Sequence, residues 1–161
     1  MKQYLTITLF VYLAFLLEFV LFNLFGSWGK PELMVLLIVF CNLYWGIRHS
    51  LWAAVVAGTL KGAFDIEPAF TYVLIYISAA YLTTFFRRYL YQPGSRFSRM
   101  VVVFFILVSI FLMELLLHLR TMQVRFAEAA LFILFPPLVL TMAVATIVFA
   151  RLKGAVIRLK L

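Results

Sequence analysis

Long runs of apolar side chains with almost no charge dominate this chain. The first run covers residues 3–25, which is about 34 Å of helix, and contains one charged residue, Glu18. Over all 161 residues, 66% are hydrophobic and 12% are charged, whereas soluble domains are about 45–50% apolar and about 25% charged. A soluble fold of this size could not bury so much apolar surface. Disorder is excluded as well, because disordered chains have low hydrophobicity and high net charge. The sequence therefore predicts an all-α integral membrane protein with a single polytopic domain.

Six segments are long enough to predict transmembrane helices, since about 20 apolar residues cross the hydrocarbon layer. The third is the weakest because Lys61 and Asp65 interrupt it, and the sixth carries Pro136 and Pro137 near its middle, where we expect a kink. The first contains Glu18, and no small-residue cleavage site follows it, so we interpret it as a retained helix and not a signal peptide. The predicted helices are 3–25, 31–47, 49–66, 68–86, 100–119 and 127–150.

The basic residues predict how this six-helix bundle is oriented. The chain has 14 Lys and Arg against 6 Asp and Glu, a net charge of +8, and cytoplasmic loops of membrane proteins are enriched in Lys and Arg. With both termini cytoplasmic, the outer face keeps only Lys30, Arg120 and Arg125. The inner face then carries Lys2, Arg48, Arg87, Arg88, Arg96, Arg99, Arg151, Lys153, Arg158 and Lys160. Topology accounts for the positive charge, so no nucleic-acid partner is predicted.

Four ionisable residues are predicted to lie inside the spans, in the outer half of the membrane: Glu18, Lys61, Asp65 and Glu114. Ionisable groups at such depth face the bundle interior or a cavity and have partners. In one interpretation Lys61 pairs with Asp65 along its own helix, while Glu18 or Glu114 binds a neighbouring backbone or hydroxyl group. In the other, these residues line an outward-facing pocket for a partner helix, a lipid headgroup or a small solute. Both interpretations stay open at this point.

The sequence contains no convincing catalytic or metal-binding set. Glu114 and His118 lie four residues apart on one predicted helix face, but two ligands are too few for a zinc site. No nucleophile, base and orienting group stand together in the pattern that covalent catalysis needs. Cys41, the one cysteine, lies in an apolar run and is expected to be a small packing residue. We therefore predict a protein that is not an enzyme and has no cofactor.

Two further surfaces are candidates for contacts. Ala54, Gly58 and Gly62 recur every four residues on the third helix, a pattern that allows another helix to approach closely. This face is expected either to pack a helix of the same chain or to bind a partner. The second surface is the inner loop with four arginines and no acid, which is expected to contact anionic lipid or a cytoplasmic partner. Its arginines are Arg87, Arg88, Arg96 and Arg99.

Three stretches of the sequence form a recognisable pattern. They are Lys30-Pro31-Glu32-Leu33 at the start of a compact helix, Gly58-Thr59-Leu60-Lys61-Gly62-Ala63-Phe64-Asp65, and an aromatic helix that ends in Arg87-Arg88-Tyr89-Leu90. With a fifth helix carrying Glu114 and a short basic C terminus, they resemble the rod shape-determining protein MreD family over essentially the whole chain. The resemblance implies a fold similar to the six-helix substrate-binding subunits of energy-coupling factor transporters.

The resemblance also implies a function. Members of that family are non-enzymatic subunits of the cell-elongation machinery in the bacterial inner membrane, where they support rod shape and peptidoglycan synthesis. The implied partners are membrane lipids, MreC and, indirectly, MreB, RodA and a class B penicillin-binding protein. An alternative function fits the same six helices and outer polar residues, namely a substrate-binding membrane subunit of a vitamin transporter.

Overall fold

A computed structural model describes residues 2–26, 31–64, 68–91, 95–121 and 135–159, and these parts of the chain are helical. Three of the helices contain stretches long and apolar enough to cross a membrane, namely Gln3–Leu24, Ala69–Leu90 and Phe97–Leu116. By length and composition the chain is therefore a helical membrane protein. Within the described residues there are six helices: α1 (Lys2–Phe25), α2 (Leu33–Trp45), α3 (Ile47–Ala63), α4 (Ala69–Leu90), α5 (Arg96–Thr121) and α6 (Phe135–Leu159).

The short helix α2 forms the centre of the bundle. Its 13 residues span about 20 Å, less than the hydrocarbon thickness. Every residue from Met34 to Leu43 is buried, and α2 contacts each of the other five helices. A helix that is apolar all round is stable when it is surrounded by other helices. The hydropathy pattern predicted a longer span over 31–47, because it marks apolar residues without distinguishing lipid from protein neighbours.

Gly46 separates α2 from α3 with a single residue. Its φ of 90° and ψ of 177° lie in a region that is essentially restricted to glycine, and its N–H donates to the carbonyls of Cys41 and Asn42. The chain therefore reverses at Gly46, whereas the sequence predicted α2 to continue to residue 47 and α3 to begin at 49. The tight turn places α3 directly against α2, where the Ser50 hydroxyl donates to the Ile38 carbonyl at 3.0 Å.

The other helix ends differ from the predicted limits mainly by extending further. Helix α4 continues to Leu90, beyond the predicted end at 86, and α5 begins at Arg96 instead of 100. Helix α6 continues to Leu159, beyond the predicted 150. Charged residues end an apolar run without ending a helix, because their side chains can reach the membrane interface from the last turns. The predicted segment 127–134 lies outside the described residues.

Pro136 and Pro137 lie in the first turn of α6 as described, which begins at Phe135. First-turn N–H groups have no partner within their own helix, so proline is tolerated there. The predicted kink depends on a helix that precedes these prolines, and that segment lies outside the described residues. The Pro137 carbonyl accepts a hydrogen bond from the Thr141 hydroxyl at 2.6 Å.

Candidate functional site: a buried charge cluster

The ammonium of Lys61, in the last turn of α3, forms the centre of the candidate site. Its Nζ lies 3.2 Å from Glu32 Oε2 and 3.2 Å from Glu114 Oε1. Glu32 immediately precedes α2 and Glu114 belongs to α5. Only 8% of Lys61 is exposed and 5% of Glu32, so water screens these ion pairs weakly. One side chain thus ties together α2, α3 and α5 inside the bundle.

Two tyrosines of α4 also surround the Lys61 ammonium. Nζ lies 5.1 Å from the centre of the Tyr72 ring and 5.6 Å from that of Tyr76, distances at which a cation is attracted to the ring face. Tyr76 is completely buried, and its hydroxyl has no hydrogen-bond partner among the described residues. The charge cluster therefore contacts α4 through aromatic rings. The buried Tyr76 hydroxyl beside it has no hydrogen-bond partner among the described residues.

Glu18 connects α1 to the start of α2. Its Oε1 accepts a hydrogen bond from the Met34 N–H at 2.8 Å, and Met34 lies in the first turn of α2, where N–H groups lack partners in their own helix. The positive end of the helix dipole also favours a carboxylate at this position. On the neighbouring side the Glu32 N–H donates to the Thr141 hydroxyl of α6 at 3.0 Å. Side chains from two other helices thus hold the beginning of α2.

A cavity of about 230 Å³ opens beside this cluster, between α1, α2 and α3. Its polar lining consists of Glu18 and Lys61, and its apolar lining consists of Met34, Phe15, Phe19, Phe22 and Phe64. The rings of Phe15 and Phe64 are 5.0 Å apart between their centres, and that of Phe19 lies 6.4 Å from both. Phenyl rings thus form one wall of a cavity that also exposes a carboxylate.

Three of the four predicted cluster residues come together in the structure. Glu18, Lys61 and Glu114 surround one site, and Glu18 binds a backbone group as one interpretation expected. Asp65 lies outside the described residues, and so does its predicted pairing with Lys61. Glu32 was not predicted to belong to the cluster. Its position beside Pro31, at the outer end of a predicted helix, was the signal that could have identified it.

The predicted small-residue face of α3 lies against α4 of the same chain. A Cβ atom added to Gly58 would lie 2.6 Å from Val73 Cα, and one added to Gly62 would overlap Ala69 Cα. Ala54, one turn before Gly58, is completely buried. The two glycines thus allow backbone contact within the bundle, and a partner would have to displace α4 to reach them.

The predicted arginine surface includes two residues that bind the bundle, Arg87 and Arg99, and two that are exposed, Arg87 and Arg88. Arg87 Nη1 donates to the Asn42 carbonyl in the last turn of α2 at 2.9 Å, and Arg99 Nη1 donates to the Tyr44 hydroxyl at 3.1 Å. Arg88 is exposed. Arg96 begins α5, and its side chain lies outside the described part of the structure. Arg87 and Arg99 thereby hold α4 and α5 to the end of α2 that lies away from the charge cluster.

Glu114 and His118 both belong to α5, but the His118 side chain is outside the described part of the chain. Among the side chains that are described, no group of three or more His, Cys, Asp or Glu residues is arranged to hold a metal ion. Cys41 is buried in α2, as its apolar surroundings predict.

No family model, curated protein or solved structure matches this chain. The fold and the site define a helical membrane protein with a buried ion-pair cluster near the start of its central helix α2.

Proposed function

We propose that this chain is a non-enzymatic assembly subunit of the bacterial cell-elongation complex, located in the inner membrane and binding MreC. The observation that carries the proposal is that the buried charged side chains bind groups on other helices of the same chain. Lys61 binds carboxylates from two other helices, and Glu18 binds the start of α2. Charges used in this way fix the relative positions of helices, which is what a subunit that presents a rigid surface to partners requires.

The distribution of arginines supports an orientation with both termini in the cytoplasm. The facing ends of α4 and α5 carry four arginines, and positively charged connections remain on the cytoplasmic side. They are Arg87 and Arg88 in the last turn of α4 and Arg96 and Arg99 in the first turn of α5. The charge cluster of Lys61 then belongs to the outer half of the membrane. In this orientation the exposed Arg88 is available to anionic lipid or to a cytoplasmic member of the complex.

The surface that we assign to the membrane partner lies on α1. Of the three long apolar helices it has the smallest buried share, 28% against 33% and 39%. A groove of about 610 Å³ runs between α1 and α3. It is lined by Tyr4, Leu5, Thr8, Leu9, Tyr12, Trp52, Val56 and Leu60. A single transmembrane helix of MreC is the occupant we propose, since packing of apolar side chains into such a groove stabilises helix association in lipid.

Affinity purification in a mild detergent tests this function. We expect MreC to copurify with the unaltered chain, and Leu5→Trp, which fills the groove, to reduce its recovery at least fivefold. Leu17→Trp is the matched control, because Leu17 is also on α1 and exposed but lies about 120° around the helix from Leu5. Equal recovery with both variants would exclude the groove, and absence of MreC from the purified native complex would refute the function.

The cavity beside Glu18 favours a second candidate, the substrate-binding subunit of a vitamin transporter. Small-molecule sites are concave and mostly apolar with a few polar groups, as this cavity is, although its 230 Å³ is below the common range of about 300–1,000 Å³. Mass spectrometry of the same purified material distinguishes the two functions. A stoichiometric vitamin accompanied by ATPase subunits would support transport, whereas MreC would support assembly.

A further inference from the structure

Positive charge accumulates where α4 ends and α5 begins, and no acidic residue lies near it in the sequence. Arg87 and Arg88 belong to the last turn of α4 and Arg99 to the first turn of α5. Among the described residues the ion pairs involve Lys61 and none of these arginines. The acid that follows Arg99 on α5 is Glu114, about 22 Å further along the helix. The acids of the whole chain are Glu18, Glu32, Asp65, Glu67, Glu114 and Glu128.

The helix dipoles do not neutralise these arginines. Helices α2 and α4 end at this side of the bundle, whereas α3 and α5 begin there, so the partial charges of about −0.5 and +0.5 at their ends largely cancel. In α5 the charges oppose the stable arrangement, because its first turn contains no acid but includes Arg96 and Arg99. A bound anion would offset the repulsion between these side chains and the positive end of the helix.

Arg87 and Arg99 are each held against α2 by one neutral acceptor. Arg87 Nη1 donates to the Asn42 carbonyl at 2.9 Å, and Arg99 Nη1 donates to the Tyr44 hydroxyl at 3.1 Å. Arg99 Nε is buried and donates to no described group. A guanidinium has five N–H donors in a planar fork that matches the oxygens of a phosphate. The two bonds therefore fix the positions of both guanidinium groups without supplying a negative charge.

The neighbouring residues indicate that this surface lies at the level of the lipid headgroups. The apolar stretches Ala69–Leu90 and Phe97–Leu116 end and begin here, and Tyr89 beside the arginines is 67% exposed. Exposed tyrosines at the ends of membrane helices lie at the interface between hydrocarbon and water. The Ser98 hydroxyl donates to the Leu90 carbonyl, which joins the ends of α4 and α5 at this level. The anionic group that a membrane offers at this depth is the phosphate of a lipid.

From this geometry we propose that Arg87 and Arg99 bind the phosphate group of an anionic phospholipid, with Arg88 adding to the attraction. Phosphate bonds to guanidinium groups are charge-assisted and stronger than bonds between neutral groups. Since no carboxylate accompanies the described arginines, the ammonium group of a zwitterionic headgroup would be repelled, and a lipid with a net negative charge is favoured. The site requires only that the chain lies in a membrane, so it does not depend on the assembly function.

Short-chain lipids added to the detergent-solubilised protein test the proposal. The probes are dihexanoyl phosphatidylglycerol, dihexanoyl phosphatidylcholine and inorganic phosphate. We expect phosphatidylglycerol to raise Tm saturably and to bind at least about fivefold more tightly than phosphatidylcholine. Equal affinities of the two lipids would overturn the proposal and favour a cytoplasmic protein as the partner of these arginines. An equal increase in Tm with inorganic phosphate would show that the lipid itself is not recognised and would overturn it as well.

Three arginine variants locate the site. Arg87→Gln and Arg99→Gln should each lower the affinity for phosphatidylglycerol by about tenfold, because each removes a charged donor fork from the phosphate. Arg48→Gln is the control, since Arg48 is also exposed and lies at the start of α3 on the same side of the bundle. Its affinity should change by less than about twofold. Equal losses in all three variants would show diffuse attraction to a basic protein and would refute the site.

Tyr44→Phe separates lipid binding from packing of the bundle. Arg99→Gln removes both the charge and the bond to the Tyr44 hydroxyl, whereas Tyr44→Phe removes that bond and keeps the charge. We expect Tyr44→Phe to retain its affinity for phosphatidylglycerol within about twofold. A loss in Tyr44→Phe as large as in Arg99→Gln would show that the altered bundle causes the effect and would refute Arg99 as a ligand of the phosphate.

Discussion

Replacement of Lys61 by methionine should destabilise the bundle far more than replacement of an exposed charged residue. Methionine is unbranched and of similar length, so Lys61→Met keeps most of the packing while it removes the ammonium. Glu32 and Glu114 then lose the cation that lies 3.2 Å from each of them. Both carboxylates lie inside the bundle. The loss of stability in this variant therefore measures the free-energy cost of two buried negative charges that have lost their common counter-ion.

The magnitude follows from distance and burial. At 3.2 Å and an effective dielectric constant of about 20, each contact contributes about 5 kcal/mol of gross Coulomb energy. Desolvation of the ammonium and the carboxylates offsets a large part of this gain. Removal of one member of a buried ion pair typically costs about 3–5 kcal/mol. We therefore expect Lys61→Met to lower the free energy of unfolding by about 3–5 kcal/mol.

Equilibrium unfolding of the detergent-solubilised protein by sodium dodecyl sulfate measures this loss. Arg88→Met is the control, because Arg88 is exposed and its replacement should change stability by about 0.5 kcal/mol or less. The triple variant with Lys61→Met, Glu32→Gln and Glu114→Gln should recover most of the lost stability, since it removes the uncompensated carboxylates. A loss below about 1 kcal/mol in Lys61→Met, or no recovery in the triple variant, would refute the reasoning.

Three other predictions concern backbone and capping positions and use the same unfolding assay. Gly46→Ala should cost about 1–3 kcal/mol, because φ of 90° with ψ of 177° is strained for alanine although a Cβ there meets no atom within 4 Å. Gly58→Ala should cost a similar amount for the opposite reason, a steric overlap with the Val73 backbone that forces α3 and α4 apart. Glu18→Leu should lower the free energy of unfolding by about 1–3 kcal/mol, because the Met34 N–H loses its acceptor. Glu18→Gln keeps that acceptor and should lower it less. Equal losses of stability in the two variants would contradict the capping role.

Hydropathy predicts that helices exist more reliably than it predicts what surrounds them. The run that contains Glu18 and the run that ends at Arg87 were recognised because apolar residues there exceed the length of a membrane span. Residues 34–43 have the same composition but are buried by protein. Nothing in a local window distinguishes an apolar residue that faces lipid from one that faces another helix, so the central position of α2 depends on tertiary packing.

The sequence predicted the depth of the charge cluster in the membrane but not the contacts within it. Depth along each predicted helix placed Glu18, Lys61 and Glu114 in the same half of the membrane, and their cost in hydrocarbon required partners. Which groups these side chains contact depends on how the helices are rotated about their axes. Lys61 reaches Glu32, 29 residues away, and Glu114, 53 residues away. Such contacts depend on the order of the helices in the bundle, which local sequence patterns do not determine.

Both ends of α2 are completed by side chains of other helices, and this explains how so short a helix can form the centre of a membrane protein. Backbone groups at helix ends lack partners, and hydrocarbon offers none. Glu18 accepts the Met34 N–H at the beginning of α2, while Arg87 donates to the Asn42 carbonyl near its end. Because these two side chains come from α1 and α4, the buried helix is stable only when the long helices are already in place around it. The charged residues that hydropathy treats as interruptions are therefore the groups that make the buried centre possible.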